Sequence, residues 1–322
     1  MKCRYYIWKE TEWNLRIRDI KKGQLAAWTF VGVSAPVAQF VGGMAWQTVL
    51  LIATLCLGTC WCISRLSLEL PRWLGVVECI WIVFVLGGVA SWATESWGSG
   101  NVYPWVPLIL LALGCASALR GLENAARVGS ILFWLVALVY VGVFIAGLSA
   151  ADGVELSCKV GDVDEKLIVV LLIPAVAVIW KDWSGSVPIG ALGGVLLFGV
   201  LLSVLITSAL SLPIAVNAEM PLHKWVQGLS LAGTLRRFEA IVSMALNMGW
   251  FSLLAYLVSV AGKLAGAVKE GAYSKGCLGS TVGAGVIVLL LNGIEPRILV
   301  LGSVVMWVIA PVTLALMRKK KN

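Results

Sequence analysis

Gln24-Leu-Ala-Ala-Trp-Thr-Phe-Val-Gly-Val-Ser-Ala-Pro-Val-Ala-Gln-Phe40 carries no charge and is apolar for most of its length, yet it holds Gly32, Ser34 and Pro36 at its centre. An uncharged apolar run of this kind reads as a bilayer crossing. A proline inside such a run removes one backbone donor and clashes with the turn before it. The crossing is therefore expected to be interrupted at Gly32-Val-Ser-Ala-Pro36, which would leave amides and carbonyls unpaired at membrane depth, where only a cavity or a ligand can satisfy them. Lys166-Leu-Ile-Val-Val-Leu-Leu-Ile-Pro174 repeats the pattern later in the chain. Either proline alone reads rather as an ordinary kink, but two at corresponding places point to a transporter-type site.

Composition makes the rest of the chain membrane as well. At 60% hydrophobic over 322 residues there is material for about nine or ten crossings of about 20 residues each. Charged residues are 13% of the chain, against about 25% in soluble domains, so no separate water-soluble domain fits. Spans are read at about 24–43, 44–64, 73–93, 105–119, 128–149, 167–180, 187–212, 238–262, 280–292 and 298–317, ten in all. They form a single transmembrane domain over 23–318, between an N-terminal segment 1–22 and a basic tail 319–322. Cutting after the fifth span leaves repeats at about 24–149 and 167–317, and an odd number of spans in each half makes the halves opposite in orientation. Spans 4 and 9 are both short for a crossing. The expected architecture is all-α and polytopic, ten helices in a 5+5 inverted repeat with helices 1 and 6 broken.

The net charge of +8 is a topology signal rather than a nucleic-acid footprint. With the N-terminus inside, 19 of the 25 Lys and Arg fall on inner segments, which is the positive-inside pattern. Both termini are then cytoplasmic. The loop Ala150–Lys166, with Asp152, Glu155, Asp162, Asp164 and Glu165, suits the outer face. Residues 1–22 have no apolar core of the kind a cleaved signal needs.

Few residues offer chemistry. The eight Cys include only one, Cys158, on the outer side, so no disulfide framework is expected. Cys60-Trp-Cys62 lacks redox or zinc spacing, and His223, the only His, has no second ligand at metal spacing. Neither a Ser/His/Asp set nor a phosphate-cradling glycine loop is evident. The expectation is no enzyme, no metal and no cofactor. What remains is charge at depth, which is costly and hence a functional candidate. Glu78 in span 3 either snorkels toward Arg72 or Arg65 or lines a central cavity. Glu123 and Arg127 stand in the order that favours a helical ion pair. Arg237 and Glu239 open span 8, where Ser243 and Asn247, one turn apart, serve either a cavity or polar packing between helices.

Taken in order and spacing, three stretches resemble the GerAB-type spore germination permeases, the B subunits of nutrient germinant receptors, within the amino acid-polyamine-organocation (APC) superfamily. Gly121-Leu-Glu123-Asn-Ala-Ala-Arg127 is similar to that family's Gly-x-Glu-x-x-x-Arg before span 5. Met220-Pro221 followed by Arg237-Phe-Glu239 is similar to its Tyr-Pro and Arg-x-Glu/Asp stretch leading into span 8. Lys166 to Pro174 resembles the family's span 6, and Gln24 after Lys21-Lys22 its entry to span 1. The resemblance implies an APC, or LeuT-like, fold. It also implies a small-molecule site at the breaks of spans 1 and 6, flanked by spans 3 and 8. Candidate ligand-binding residues are Gly32, Ser34, Ala35, Pro36, Glu78, Glu165, Pro174, Ser243 and Asn247; Glu123, Arg127, Pro221, Arg237 and Glu239 are motif residues with structural or coupling roles. The implied ligand is an amino acid or similar nutrient, and the implied partners are a membrane-anchored A subunit and a lipoprotein C subunit in the cell or spore inner membrane. The alternatives are a proton-coupled amino acid or amine transporter using Glu78 or Glu165, and a degenerate paralogue acting as a scaffold.

Overall fold

The computed structural model describes residues 22–65, 72–95, 105–150, 164–179, 189–210, 215, 221–228, 238–291 and 294–319. All regular structure among the described residues is helical. In chain order the helices are α1 (Lys22–Phe40), followed by a 3-10 turn (Val41–Gly43), α2 (Trp46–Arg65), α3 (Arg72–Glu95), α4 (Trp105–Leu119) and α5 (Leu122–Ala150). Then come α6 (Glu165–Ile179), α7 (Ile189–Leu210), α8 (Pro221–Gly228), α9 (Phe238–Val268), α10 (Tyr273–Leu291) and α11 (Pro296–Val304). A π-helical turn (Val305–Ile309) carries α11 directly into α12 (Ala310–Lys319).

Six stretches among the described residues are long and apolar enough to cross a membrane: Trp73–Thr94, Leu122–Leu148, Gly190–Leu210, Glu239–Val268, Tyr273–Leu290 and Pro296–Leu314. Large apolar side chains point away from the protein along them, with Trp134 74%, Leu138 73% and Leu290 77% exposed. Such faces are stable only against lipid, and the chain is an integral membrane protein.

Helix α9 is the hub, packed on α1, α3, α4, α5 and α10. It is buried without interruption from Ser252 to Gly262, as expected for a helix that is apolar all round. Around it α1 lies against α5, α6 and α7, α2 against α6 and α7, α10 against α3 and α4, and α11 against α3 and α6. Short α8 sits across the ends of α7 and α9.

The expected breaks are absent. Helix α1 continues through Gly32-Val-Ser-Ala-Pro36 to Phe40, and α6 continues through Pro174. Inside a membrane the reason is electrostatic. A true break orphans several N–H and C=O groups at several kcal/mol each, whereas a proline within an unbroken helix costs one hydrogen bond, about 3 kcal/mol. Helix α10 also differs from the expected short span, beginning at Tyr273 and running 19 residues, so Cys277 is buried in a helix rather than set in a loop. The polar opening Tyr273-Ser-Lys-Gly-Cys depresses hydropathy, but it lies along a tight glycine seam. A Cβ on Gly262 would stand 2.5 Å from the Cys277 sulfur, and one on Gly276 would stand 2.5 Å from the Ala265 Cβ. The N-terminal segment up to Lys21, most of the acidic loop, Arg237 and the tail beyond Lys319 lie outside the described residues.

Candidate functional site

The second half of α1 is enclosed on every side, Val31 to Ala38 all being buried. Its face toward α9 is built from small residues. A Cβ on Gly32 would lie 3.2 Å from the Leu253 Cα, and one on Gly249 would overlap the Ala35 Cβ. Gly32 and Ala35 thus serve close helix contact, which fills the space a ligand would need between α1 and α9. Trp28 anchors the same helix: its Nε1–H donates to the Ser252 carbonyl at 3.2 Å and its ring meets Tyr256 edge-on at 5.2 Å.

Ser34 looks the other way. It is fully buried, its hydroxyl donates to the Val31 carbonyl at 3.2 Å, and beside it stands Tyr140 of α5. The Tyr140 hydroxyl is buried and lacks a hydrogen bond of good geometry among the described residues, the Ser34 hydroxyl being the polar group that interacts with it. The Tyr140 ring packs against Phe198 of α7 with centroids 4.4 Å apart, and Phe30 and Phe144 complete an aromatic box around Phe198. An orphaned hydroxyl in such a box costs about 1–3 kcal/mol unless something accepts or donates to it. Sequence reading missed Tyr140. Its signal was a lone tyrosine in the middle of the 128–149 apolar run, far from the interfacial belts where tyrosine collects.

Glu78 is the second buried polar centre. It is completely enclosed on α3, one carboxyl oxygen (Oε2) accepts the Trp307 indole N–H at 3.1 Å, and Oε1 has no partner among the described residues. Trp307 sits in the π turn, a distortion of the i to i−4 ladder that occurs often at functional sites. One turn away Trp81 of α3 donates to the Ser303 hydroxyl at 3.3 Å, so α3 and the α11 rod exchange one indole hydrogen bond in each direction. The hydrogen bond shown for Glu78 is to Trp307, on a helix far along the chain.

Other expected site residues are placed elsewhere. Glu165 lies in the first turn of α6, where the Asp164 side chain accepts the Lys166 backbone N–H at 2.9 Å as a cap. Its carboxylate accepts from Arg297 Nε at 2.9 Å, with both side chains partly exposed, so it is an ion pair at the helix end rather than an acid at membrane centre. Pro174 is buried within unbroken α6, and Pro36 likewise within α1. Ser243 is held by His223 of α8, with Oγ and Nε2 2.9 Å apart. Asn247 is half-buried one turn further along. Burial pushes the His223 imidazole below its ordinary 6.5, and the nearby charge of Glu239 opposes this. Glu123 and Arg127 form an ion pair on α5. Pro221 is buried against the 3-10 turn, where a Cβ on Gly42 would stand 2.9 Å from the Pro221 Cβ. Arg237 falls outside the described residues.

Where α1, α3 and α9 meet near the start of α6, Phe40 meets Trp92 and Trp250 edge-on at 6.2 and 6.0 Å. Trp250 donates to Gln39 at 3.0 Å, and the Lys166 ammonium lies 5.6 Å over the Phe40 ring. This aromatic cluster lies at the C-terminal end of α1, beyond Ser34 along the helix. Among the described residues no group of three or more His, Cys, Asp or Glu is arranged to hold a metal. No protein-family model and no curated protein matches the chain.

Proposed function

We propose that this chain is an amino-acid-permease-like membrane protein of the germinant-receptor B-subunit kind. It senses a small amino acid or similar nutrient and signals to a membrane-anchored A subunit and a lipoprotein C subunit, with both of its termini cytoplasmic. The observation that carries the fold side of this reading is the symmetry of helix packing. Matching α1 with α6, α2 with α7, α3 with α9, α4 with α10 and α5 with the α11 rod turns most neighbouring pairs into neighbouring pairs. Thus α1 on α7 corresponds to α6 on α2, α4 on α9 to α10 on α3, and α1 on α5 to α6 on α11. That pattern supports ten helices in two inverted halves. One pair breaks it. The close seam between α1 and α9 has no counterpart of similar extent between α6 and α3.

Such an asymmetry is what a protein with two arrangements of its halves would carry in one of them, and only a ligand with unequal affinity for the two can shift the balance. The ligand site in this reading is the pair of polar groups facing away from the seam, Ser34 and the orphaned Tyr140 hydroxyl. A germination assay with Ser34→Leu and Tyr140→Phe variants that insert normally tests it. Loss of the nutrient response is expected; an unchanged response in both would overturn the site.

The enclosed Glu78, with one oxygen unpartnered, favours one alternative, proton-coupled uptake of an amino acid or amine. Proteoliposomes separate the readings. Uptake driven by a pH gradient and abolished by Glu78→Gln would favour transport, and binding without uptake would favour the receptor.

A further inference from the structure

We infer that a cleft between the α4–α5 turn and α9 is a binding site for an anionic phospholipid. The cleft has a volume of about 500 Å³. Gly121, at φ 100°, reverses the chain from α4 into α5, which brings Arg120, Asn124 and Arg127 to its rim. Its walls are Val128, Ile131 and Phe251.

The two parts match the two parts of a lipid. At a rise of about 1.5 Å per residue, Asn124 to Ile131 spans about 10 Å along α5, the depth from a phosphate group to the upper acyl chain. Val128 and Ile131 are 40% and 65% exposed, so the lower wall opens on the hydrocarbon. The rim is positively charged overall. Arg127 is neutralised by Glu123, but the Arg120 guanidinium has no ion-pair partner among the described residues. Asn124 donates to the Arg120 carbonyl at 2.8 Å, tying the rim of α5 to the end of α4. Basic pockets between membrane helices recognise lipid phosphates in this way, and a guanidinium presents a fork of donors to phosphate oxygens. A zwitterionic lipid offers the same acyl chains but brings its own ammonium toward Arg120, so the site discriminates by charge.

The test uses the purified full chain in detergent with equal amounts of phosphatidylglycerol and phosphatidylcholine, and native mass spectrometry reads the lipid retained. Phosphatidylglycerol should be retained at least about fivefold over phosphatidylcholine. Arg120→Gln should lower that ratio by about fivefold, the worth of roughly one basic contact at the membrane surface. Arg120→Lys should lower it less. Lys269→Gln, which removes an equal and exposed charge in the α9–α10 turn, should leave the ratio unchanged. Equal retention of the two lipids would overturn the assignment, as would no effect of Arg120→Gln. An equal loss with Lys269→Gln would also overturn it, because that outcome indicates diffuse attraction rather than a site.

Discussion

Adding one methyl at Gly249 tests the seam on which the placement of the candidate site depends. In the structure that methyl would overlap the Ala35 Cβ and lie 2.9 Å from the Val31 carbonyl oxygen, against 3.4 Å or more for ordinary contact. Both neighbours belong to the backbone or its first side-chain atom, so no rotamer change relieves the overlap. Helices α1 and α9 must part or shift by roughly 1 Å, and overpacking of this kind costs about 1–3 kcal/mol. Alanine's better helix propensity offsets up to about 1 kcal/mol of that. Gly249→Ala should therefore destabilise by about 1–2 kcal/mol. Gly58→Ala is the control, because a Cβ there meets nothing within 4 Å and should stabilise slightly. Ala35→Gly removes the methyl from the opposite helix, so in the double variant one methyl again fills the seam and the two changes should couple favourably by about 1 kcal/mol. Unfolding of the reconstituted protein in mixed micelles, followed by helical circular dichroism against denaturing detergent, reads all four. Gly249→Ala as stable as the parent, with no coupling to Ala35→Gly, would refute the seam. The space between α1 and α9 would then again be open to a ligand.

Further outcomes follow from the other contacts. Trp307→Phe leaves Glu78 without its hydrogen bond and should cost about 1–3 kcal/mol, while adding Glu78→Leu should restore part of the loss; a neutral Trp307→Phe would deny the bond a structural role. Glu165→Gln or Arg297→Gln removes a partly exposed pair and should cost less than about 1 kcal/mol, fading in high salt, as measured by thermal unfolding. For His223 the folded value is lowered, so the neutral form holds α8 on α9. Docking is fully present above the ordinary 6.5 and weakens as pH falls through the lowered value. The protection factors of the α8 amides, which correct exchange for its intrinsic fall with pH, should accordingly drop on acidification from pH 7.5 to 5 in the parent and change little in His223→Gln. Protection factors that hold or rise on acidification in the parent would contradict this.

Several elements were readable before any coordinates. The long apolar runs at 73–93, 128–149 and 238–262 coincide with α3, α5 and α9, because hydropathy over a crossing length is a local quantity. The Glu123–Arg127 pair was readable for the same reason, since a spacing of four fixes neighbours on a helix face. Spans 9 and 1 were misjudged where local composition and long-range packing disagree. Tyr273-Ser-Lys-Gly-Cys looks too polar and small to begin a crossing, yet those small residues are what α9 packs against. Gly32 and Pro36 look like a break, yet Gly249 lets α9 close on that stretch.

Sequence alone therefore determined that this chain lives in a membrane, that it is helical, and roughly where its main helices run. Those properties depend on how many apolar residues stand in a row, and a row is all a sequence contains. Tertiary structure decided what each polar group at depth does. Whether Ser34 meets a ligand or a helix depends on Tyr140, more than a hundred positions away, and whether Glu78 faces a cavity or a partner depends on Trp307, 229 positions away. In a solvent that cannot satisfy hydrogen bonds, the fate of a polar group is set by the one neighbour that reaches it, and that neighbour is chosen by packing across the bundle.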